Sequence, residues 1–459
     1  MSRERKLLGL WLKKRKFRLS SMQIIAMVFA GIILTGACLL TLPVASRSGV
    51  SCGFLPALFT ATSSTCVTGL VLFDTWTQWS GFGQAVILSL IELGGLGFMS
   101  AASLVIFVFG KKVGLRQRMV IAQALSLNDM EGVVRLQKWV LFGSLSVQAV
   151  GALILTVRFW PQYGFTQALT WGVFHAVSAF CNAGFDIFGK LAPGQSLALF
   201  QNDPVVLITL MGLILVSGLG FFVWEEVIRI RRFKKFSVYT KLVLVATVVL
   251  VLTGAGMTLL LEWNNPNTLG NMPWGQKILN AFFQSVTLRT AGFASIDQAG
   301  LTEAGKGISM LLMLIGGSSG STAGGIKTVT FVVLLLFMWS KARGRTVVNV
   351  WKRQIPGDKV RNAMTIISIV VGLAFAGAIV ICATSPVGFT EALYETVSAL
   401  ATVGLTAGVT PLLTVPAQIL IILFMYFGRV GVLTLSLGVL VGDRTEDRFR
   451  YAQTDLLIG

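Results

Sequence analysis

Eight stretches of this chain are long and apolar enough to cross a lipid bilayer, at roughly 22–44, 82–109, 139–157, 204–228, 242–261, 307–339, 364–384 and 416–441. A helix needs about 20 apolar residues to span the hydrocarbon core. Within that core only helices and closed barrels satisfy their own backbone polar groups. The expected fold class is therefore an all-α integral membrane protein. Composition agrees, since only 12% of the 459 residues are charged, about half the share found in soluble domains. The basic start followed by Met22–Val44 mimics a secretory signal, whose apolar region is only about 7–15 residues. This run reads as an uncleaved first helix.

The basic residues alternate sides between the apolar stretches. Of the 38 Lys and Arg residues, 30 lie in five segments: 1–18, 110–138, 229–241, 341–361 and the chain from Arg444 onward. The opposite connections hold Arg47, Arg158, Lys190, Lys277 and Lys306, while Arg289, Lys327 and Arg429 fall inside apolar or pore segments. The positive-inside rule then predicts a multi-pass protein of the cell (inner) membrane with both termini in the cytoplasm. It also accounts for the net charge of +19 without a nucleic-acid partner. Five cysteines (Cys38, Cys52, Cys66, Cys181, Cys382) show no metal or disulfide spacing.

Each outward connection carries a short stretch of about 12 residues, too short to span. In register these are Phe59–Leu70, Phe174–Phe185, Phe282–Phe293 and Tyr394–Leu405. Every copy places an aromatic ten residues before a glycine and Leu or Phe just after it. The glycines are Gly69, Gly184, Gly292 and Gly404, separated by 115, 108 and 112 residues. A repeat of about 110 residues, helix–short helix–loop–helix, organises the chain. Non-helical backbone at membrane depth must line a cavity, so four such loops are expected to meet at a pseudo-fourfold axis. Glycine lets carbonyls turn toward that axis, and a carbonyl ring replaces the hydration shell of a potassium ion.

The fourth loop, Thr402-Val403-Gly404-Leu405, resembles the first half of the potassium-channel TVGYG filter. Four tandem M1–P-loop–M2 units, eight transmembrane helices around a central pore, resemble the Trk/Ktr/HKT superfamily of potassium transporters, most closely its bacterial Ktr-type (KtrB) membrane subunit. The unit boundaries are 19–110, 135–232, 238–345 and 360–442, between a basic cytoplasmic N-terminus (1–18) and a cytoplasmic C-terminus (443–459). The resemblance implies potassium uptake, with K+ held at filter carbonyls of Val67, Thr68, Gly69, Asn182, Ala183, Gly184, Thr290, Ala291, Gly292, Thr402, Val403 and Gly404. It implies no enzyme activity and no cofactor beyond the transported ion. It also implies sodium stimulation, a homodimer in the bilayer and a cytoplasmic nucleotide-binding ring subunit of the KtrA type. The alternative is a K+/Na+ symporter or a less selective cation channel. Val67 and Asn182 depart from a T-x-G pattern, so the cytoplasmic end of the filter is expected to be asymmetric.

The sixth apolar stretch is interrupted at 316–328 by five glycines and five Ser or Thr residues. At about 1 kcal/mol of lost propensity per glycine, this is expected to be a loop lining a cavity under the third filter loop. By resemblance it is a gate formed by Gly316, Gly317, Ser318, Gly320, Gly324, Gly325 and Lys327, with Arg429 placing a second positive charge beside it. A near P-loop spacing, Gly320-x4-Gly325-Ile326-Lys327-Thr328, lacks the strand a nucleotide loop follows.

Intramembrane charge marks function by default. Glu92 is expected to be satisfied by a cation between helices, and Arg289 to hold its loop through backbone carbonyls. His175, the only histidine, aligns with Thr60, Phe283 and Glu395 and is expected to pack. The glycines Gly94, Gly95, Gly97, Gly218 and Gly220 are expected at close helix contacts. No converging acids, histidines or Ser/Lys dyad suggest a membrane enzyme, and no stretch has the arginine spacing of a voltage sensor.

Overall fold

The computed structural model describes residues 21–96 and 133–431. In chain order the first helices are α1 (Ser21–Thr41), α2 (Phe54–Thr65), the single turn α3 (Thr75–Gln78) and α4 (Gly81–Gly95). A second set follows: α5 (Val133–Tyr163), α6 (Phe165–Phe180), α7 (Pro204–Leu219) and α8 (Phe221–Ile230). A third comprises α9 (Val238–Glu262), α10 (Trp274–Thr287), α11 (Glu303–Leu314) and α12 (Thr328–Ala342). A small antiparallel hairpin, β1 (Val348–Val350) with β2 (Arg353–Ile355), leads to α13 (Gly357–Thr384), α14 (Phe389–Leu400) and α15 (Val415–Val430).

Among the described residues, four helices are by themselves long and apolar enough to cross a membrane: Gln23–Thr41, Gln137–Tyr163, Val238–Glu262 and Gly357–Thr384. Their outward faces stay apolar, with Leu34, Phe142, Leu153, Val248, Leu260 and Ile379 exposed. Such faces are costly against water and suited to lipid. Three of the four helices that follow the glycine-bearing loops begin on side-chain caps. The Ser80 hydroxyl accepts from Gly83 N, Asp203 accepts from Val205 and Val206 N with Pro204 as the first helical residue, and Thr302 accepts from Gly305 N. Each such cap contributes on the order of 1 kcal/mol and fixes where the helix starts.

The packing follows one rule four times. The long helix of each set lies on the short helix after it: α1 on α2, α5 on α6, α9 on α10 and α13 on α14. The next helix then packs on the short helix of the following set: α4 on α6, α7 on α10 and α11 on α14. Finally α15 packs on α2, which closes the circle.

One expected span differs from the sequence reading. The stretch 204–228 is not one helix, because the chain bends by 92° between α7 and α8. Gly220 sits at the bend with φ 87°, and a Cβ there would stand 2.5 Å from Ser318 Oγ. The helix breaks where another segment is wedged against it. The second and eighth stretches begin as α4 and α15, and their remainders (97–109 and 432–441) lie outside the described residues. The sixth is interrupted as expected, α11 ending at Leu314 and α12 starting at Thr328. The termini 1–18 and 443–459 also lie outside the described residues, as do Gly97 and most of 110–138.

Candidate ion-conducting site

Four short helices end in the same local structure. Two residues before each glycine stand Val67 (φ 57°), Asn182 (58°), Thr290 (70°) and Thr402 (51°), all left-handed. Gly69 (99°), Gly184 (67°), Gly292 (81°) and Gly404 (91°) follow at positive φ. Holding a side-chain-bearing residue there costs roughly 1–3 kcal/mol and persists only where the surroundings enforce it. The enforcement is visible in three loops, where the residue before the glycine donates its N–H back into the helix: Thr68 to Ser63 O (2.8 Å), Ala183 to Ser178 O (2.7 Å) and Val403 to Ser398 O (2.8 Å). Ala291 reaches Thr287 O instead (2.9 Å). Hydroxyls complete the turns: Gly69 N donates to Ser63 Oγ and Gly404 N to Ser398 Oγ, while Ser178 and Thr287 donate to the carbonyls of Phe185 and Phe293.

The four glycines form a closed circle in chain order. A Cβ on Gly69 would stand 2.5 Å from Ala183 O, one on Gly184 2.8 Å from Ala291 O, and one on Gly292 2.6 Å from Val403 O. One on Gly404 would collide with Thr68 O, returning to the first loop. Each glycine is therefore needed so that the carbonyl of the next loop can approach. Around this circle Thr68 Oγ1, Asn182 Nδ2, Thr290 Oγ1 and Thr402 Oγ1 are buried without a hydrogen-bond partner. Buried polar groups are seldom left so; the three hydroxyl oxygens can coordinate a cation or accept from its water, whereas the Asn182 amide nitrogen only donates. Asn182 Oδ1 accepts from Ser217 Oγ (3.3 Å). Val67 stands where the other three loops carry the polar residues Asn182, Thr290 and Thr402.

On one side of the circle lies a cavity of about 550 Å3, lined by the four glycines and by Asp74, Asp186 and Asp297. On the other lies the segment 315–327. It closes on itself through Gly316 N to Ile326 O (2.9 Å), Thr328 N to Gly317 O (3.1 Å) and Thr328 Oγ1 to Gly316 O (2.7 Å). Gly324 presses on the Thr402 side chain so closely that no Cβ fits, and Thr322 Oγ1 donates to Phe180 O at the end of α6 (3.1 Å). Ser318 N donates to Gly218 O (3.0 Å), Phe221 N to Gly320 O (3.0 Å) and the Tyr239 hydroxyl to Ser319 O (2.9 Å). The bend at Gly220 is thus the seat of this segment. The sequence reading had Gly220 as a packing glycine and passed over Tyr239.

Both inner cations serve this segment. Lys327 Nζ donates to Ala323 O (2.7 Å) within it. Arg429 donates to Thr322 O and to the carbonyls of Gly94 and Gly95 at the end of α4. Two other expectations are corrected. Glu92 is met by Gln148 Nε2 (3.2 Å) and the Cys181 thiol (3.4 Å), with no cation in ion-pair range among the described residues. Arg289 reaches the Thr247 hydroxyl on α9 (3.5 Å) and no carbonyl of its own loop, because its side chain turns away from the circle. His175 packs as expected, stacked on Phe188 at 3.9 Å. Its Nδ1 bonds Trp171 O and its Nε2 accepts from Ile187 N, bracing the second loop. Glu395, at the aligned position, accepts from the hydroxyls of Thr406 and Thr410 and braces the fourth. The alignment of these two polar residues was the signal for bracing that sequence reading left unused.

Residues 8–445 match the TrkH family, described as a cation transport protein. The chain belongs to that family. It is a family of transporters and not of enzymes, and with its several apolar helices the protein is a multi-pass membrane protein. The chain is 40% identical to the "Potassium/sodium uptake protein NtpJ" of Enterococcus hirae, over 98% of this chain and 99% of that one. It is 39% identical to the "Ktr system potassium uptake protein B" of Bacillus subtilis, over 94% and 96% of the two chains. In fold it is similar to the crystal structure of the potassium transporter TrkH from Vibrio parahaemolyticus, with a TM-score of 0.72 at 17% identity, covering 94% of this chain and 86% of that one.

Proposed function

We propose that this protein is the membrane subunit of a potassium uptake system, with four M1–P-loop–M2 repeats and eight spans around one pore. The observation that carries the reading is the closed circle in which each glycine admits the carbonyl of the next loop. Carbonyls so gathered replace the hydration shell of K+. The short helices add the negative ends of their dipoles behind them. Asp74, Asp186 and Asp297 raise the local cation concentration at the outer mouth. The segment 316–328 blocks the inner side, held by Arg429 and Lys327. Both termini face the cytoplasm, on the charge pattern. Flux into liposomes containing the purified protein tests this, with K+, Na+ and membrane potential varied independently. Uptake of K+ is expected to exceed that of Na+ by about tenfold or more, a difference of about 1.4 kcal/mol. Equal uptake of the two ions would sink the filter. The name of the Enterococcus relative favours a second reading, coupled K+/Na+ transport or weaker selectivity, in which K+ flux depends on sodium on the same side.

The same reading gives the protein a second copy as partner in the bilayer and a cytoplasmic nucleotide-binding ring that regulates it. Its support is the 19 Lys and Arg residues of loops 110–138, 229–241 and 341–361, of which Arg231 and Arg232 are exposed next to α8. Surface charges of this kind steer association and weaken with salt, over about 8 Å at physiological ionic strength. Co-purification with the ring subunit is expected to fall for an Arg231→Gln/Arg232→Gln variant, most steeply as salt rises. Equal recovery across the salt series would leave these residues with orientation alone.

A further inference from the structure

We infer that the outward face carries a phosphate-binding site between the first and second repeats, occupied by the headgroup of an anionic outer-leaflet phospholipid. Its sidedness rests on the topology proposed above. A cavity of about 560 Å3 opens there, lined by Arg47, Trp76, Gln84, Tyr163, Gln167 and Thr170 among others. It lies between the elbow after α1 and the joint of α5 with α6.

Arg47 lines this cavity, and Lys190 stands next to it through Gln167. The Arg47 guanidinium lies 4.2 Å over the Trp76 ring, its Nε donating to Trp76 O (2.9 Å). Stacked in this way, the planar fork is held in place while its outer nitrogens stay available, the arrangement suited to a phosphate. Lys190 Nζ lies 5.8 Å from the same ring and donates to Gln167 Oε1 (3.1 Å). Two of the other three outward cations are already paired with carboxylates. Arg158 pairs with Asp203 (2.8 Å), Lys306 with Glu303 and Glu391 (3.1 Å each), and Lys277 donates to Trp263 O (2.7 Å). Among the described residues no carboxylate pairs with Arg47 or Lys190. Arg47 at the cavity and Lys190 beside it thus put two positive charges near hydroxyl and amide groups, with no carboxylate paired to either among the described residues.

The surroundings favour a lipid over free phosphate. Trp160 and Phe165 are exposed beside the cavity, their rings 5.1 Å apart, and Phe82 is exposed at the start of α4. Aromatic rings with a polar neighbour at a helix end mark the membrane–water boundary. A headgroup seated at Arg47 leaves its acyl chains against these rings.

The test is native mass spectrometry of the full chain, purified from nanodiscs of phosphatidylcholine with one-fifth phosphatidylglycerol. The wild type is expected to retain phosphatidylglycerol, and Arg47→Gln/Lys190→Gln to lose it by about tenfold with an unchanged elution profile and melting temperature. Arg47→Lys, which keeps the charge and loses the fork, is expected to fall between them. Equal retention in wild type and double variant overturns the site. Full displacement of the lipid by 10 mM inorganic phosphate also overturns it, since the cavity then takes a soluble anion. Potassium flux of the same preparations is read separately. A wild type that retains the lipid and conducts no potassium sinks the transport reading and leaves this site standing.

Discussion

Replacing Gly69 with serine is expected to cost the protein most of its preference for potassium over sodium. The position is left-handed, at φ 99°, and a Cβ would stand 2.5 Å from the Ala183 carbonyl. That carbonyl belongs to the backbone, so it has no rotamer by which to yield. Either Ala183 turns its oxygen out of the circle or the first loop retreats, and in both cases one of four carbonyls leaves the ion. The serine hydroxyl then offers a smaller, mobile ligand in its place. Selectivity depends on the number and placing of the dipoles around the ion. The expected result is at least a tenfold fall in the ratio of K+ to Na+ uptake, about 1.4 kcal/mol of discrimination, with insertion unchanged. Gly49 makes the control, since it is also left-handed (φ 72°) yet has nothing within 4 Å of the added atom. Gly49→Ser is expected to leave the ratio alone. A ratio unaltered in Gly69→Ser at matched expression would remove Gly69 from the filter.

Deletion of Ser318–Ala323 should raise potassium flux severalfold while leaving the ion preference where it was. The strands to be joined already lie together, because a Cβ on Gly316 would collide with Gly324 O and stand 3.4 Å from Gly325 Cα. The bonds that close the base, Gly316 N to Ile326 O and Thr328 N to Gly317 O, lie outside the cut. What disappears is the attachment of the segment to its surroundings. Thr322 no longer reaches Phe180 O, Gly320 no longer accepts from Phe221, and Arg429 keeps only the carbonyls of Gly94 and Gly95. The segment meets the Thr402 side chain at Gly324, which the deletion leaves in place. Flux and K+/Na+ ratio measured in the same liposomes separate the two roles. A protein that inserts and folds but conducts less would make this segment a support for the pore and not its gate.

Several features were legible because they recur or because they violate a local preference. Four glycines, each ten residues after an aromatic, stand out from background by their register. Five glycines inside an apolar stretch contradict a helix by several kcal/mol, and a break there needs no knowledge of what surrounds it. Side-chain partners were less legible. Glu92 was expected to find a cation, because isolated charge in a membrane demands compensation. It is met by the amide of Gln148 and the thiol of Cys181, from helices distant in sequence. Arg289 stands three residues from Gly292, yet its side chain turns to α9. Spacing along a loop does not say on which side of it a long side chain leaves.

Which stretches are apolar enough for lipid, the places where glycine is required and the segment that cannot be helical follow from sequence alone, since each rests on length, propensity or backbone freedom. The tertiary structure decided which loop meets which. The order of the circle, the seating of 315–327 beneath Thr402 and the 92° bend at Gly220 all depend on contacts between residues roughly 80–340 positions apart. No periodicity encodes such contacts. Gly220 reads like any glycine in an apolar stretch until Ser318 is placed against it, and only then does the bend become the cheaper backbone.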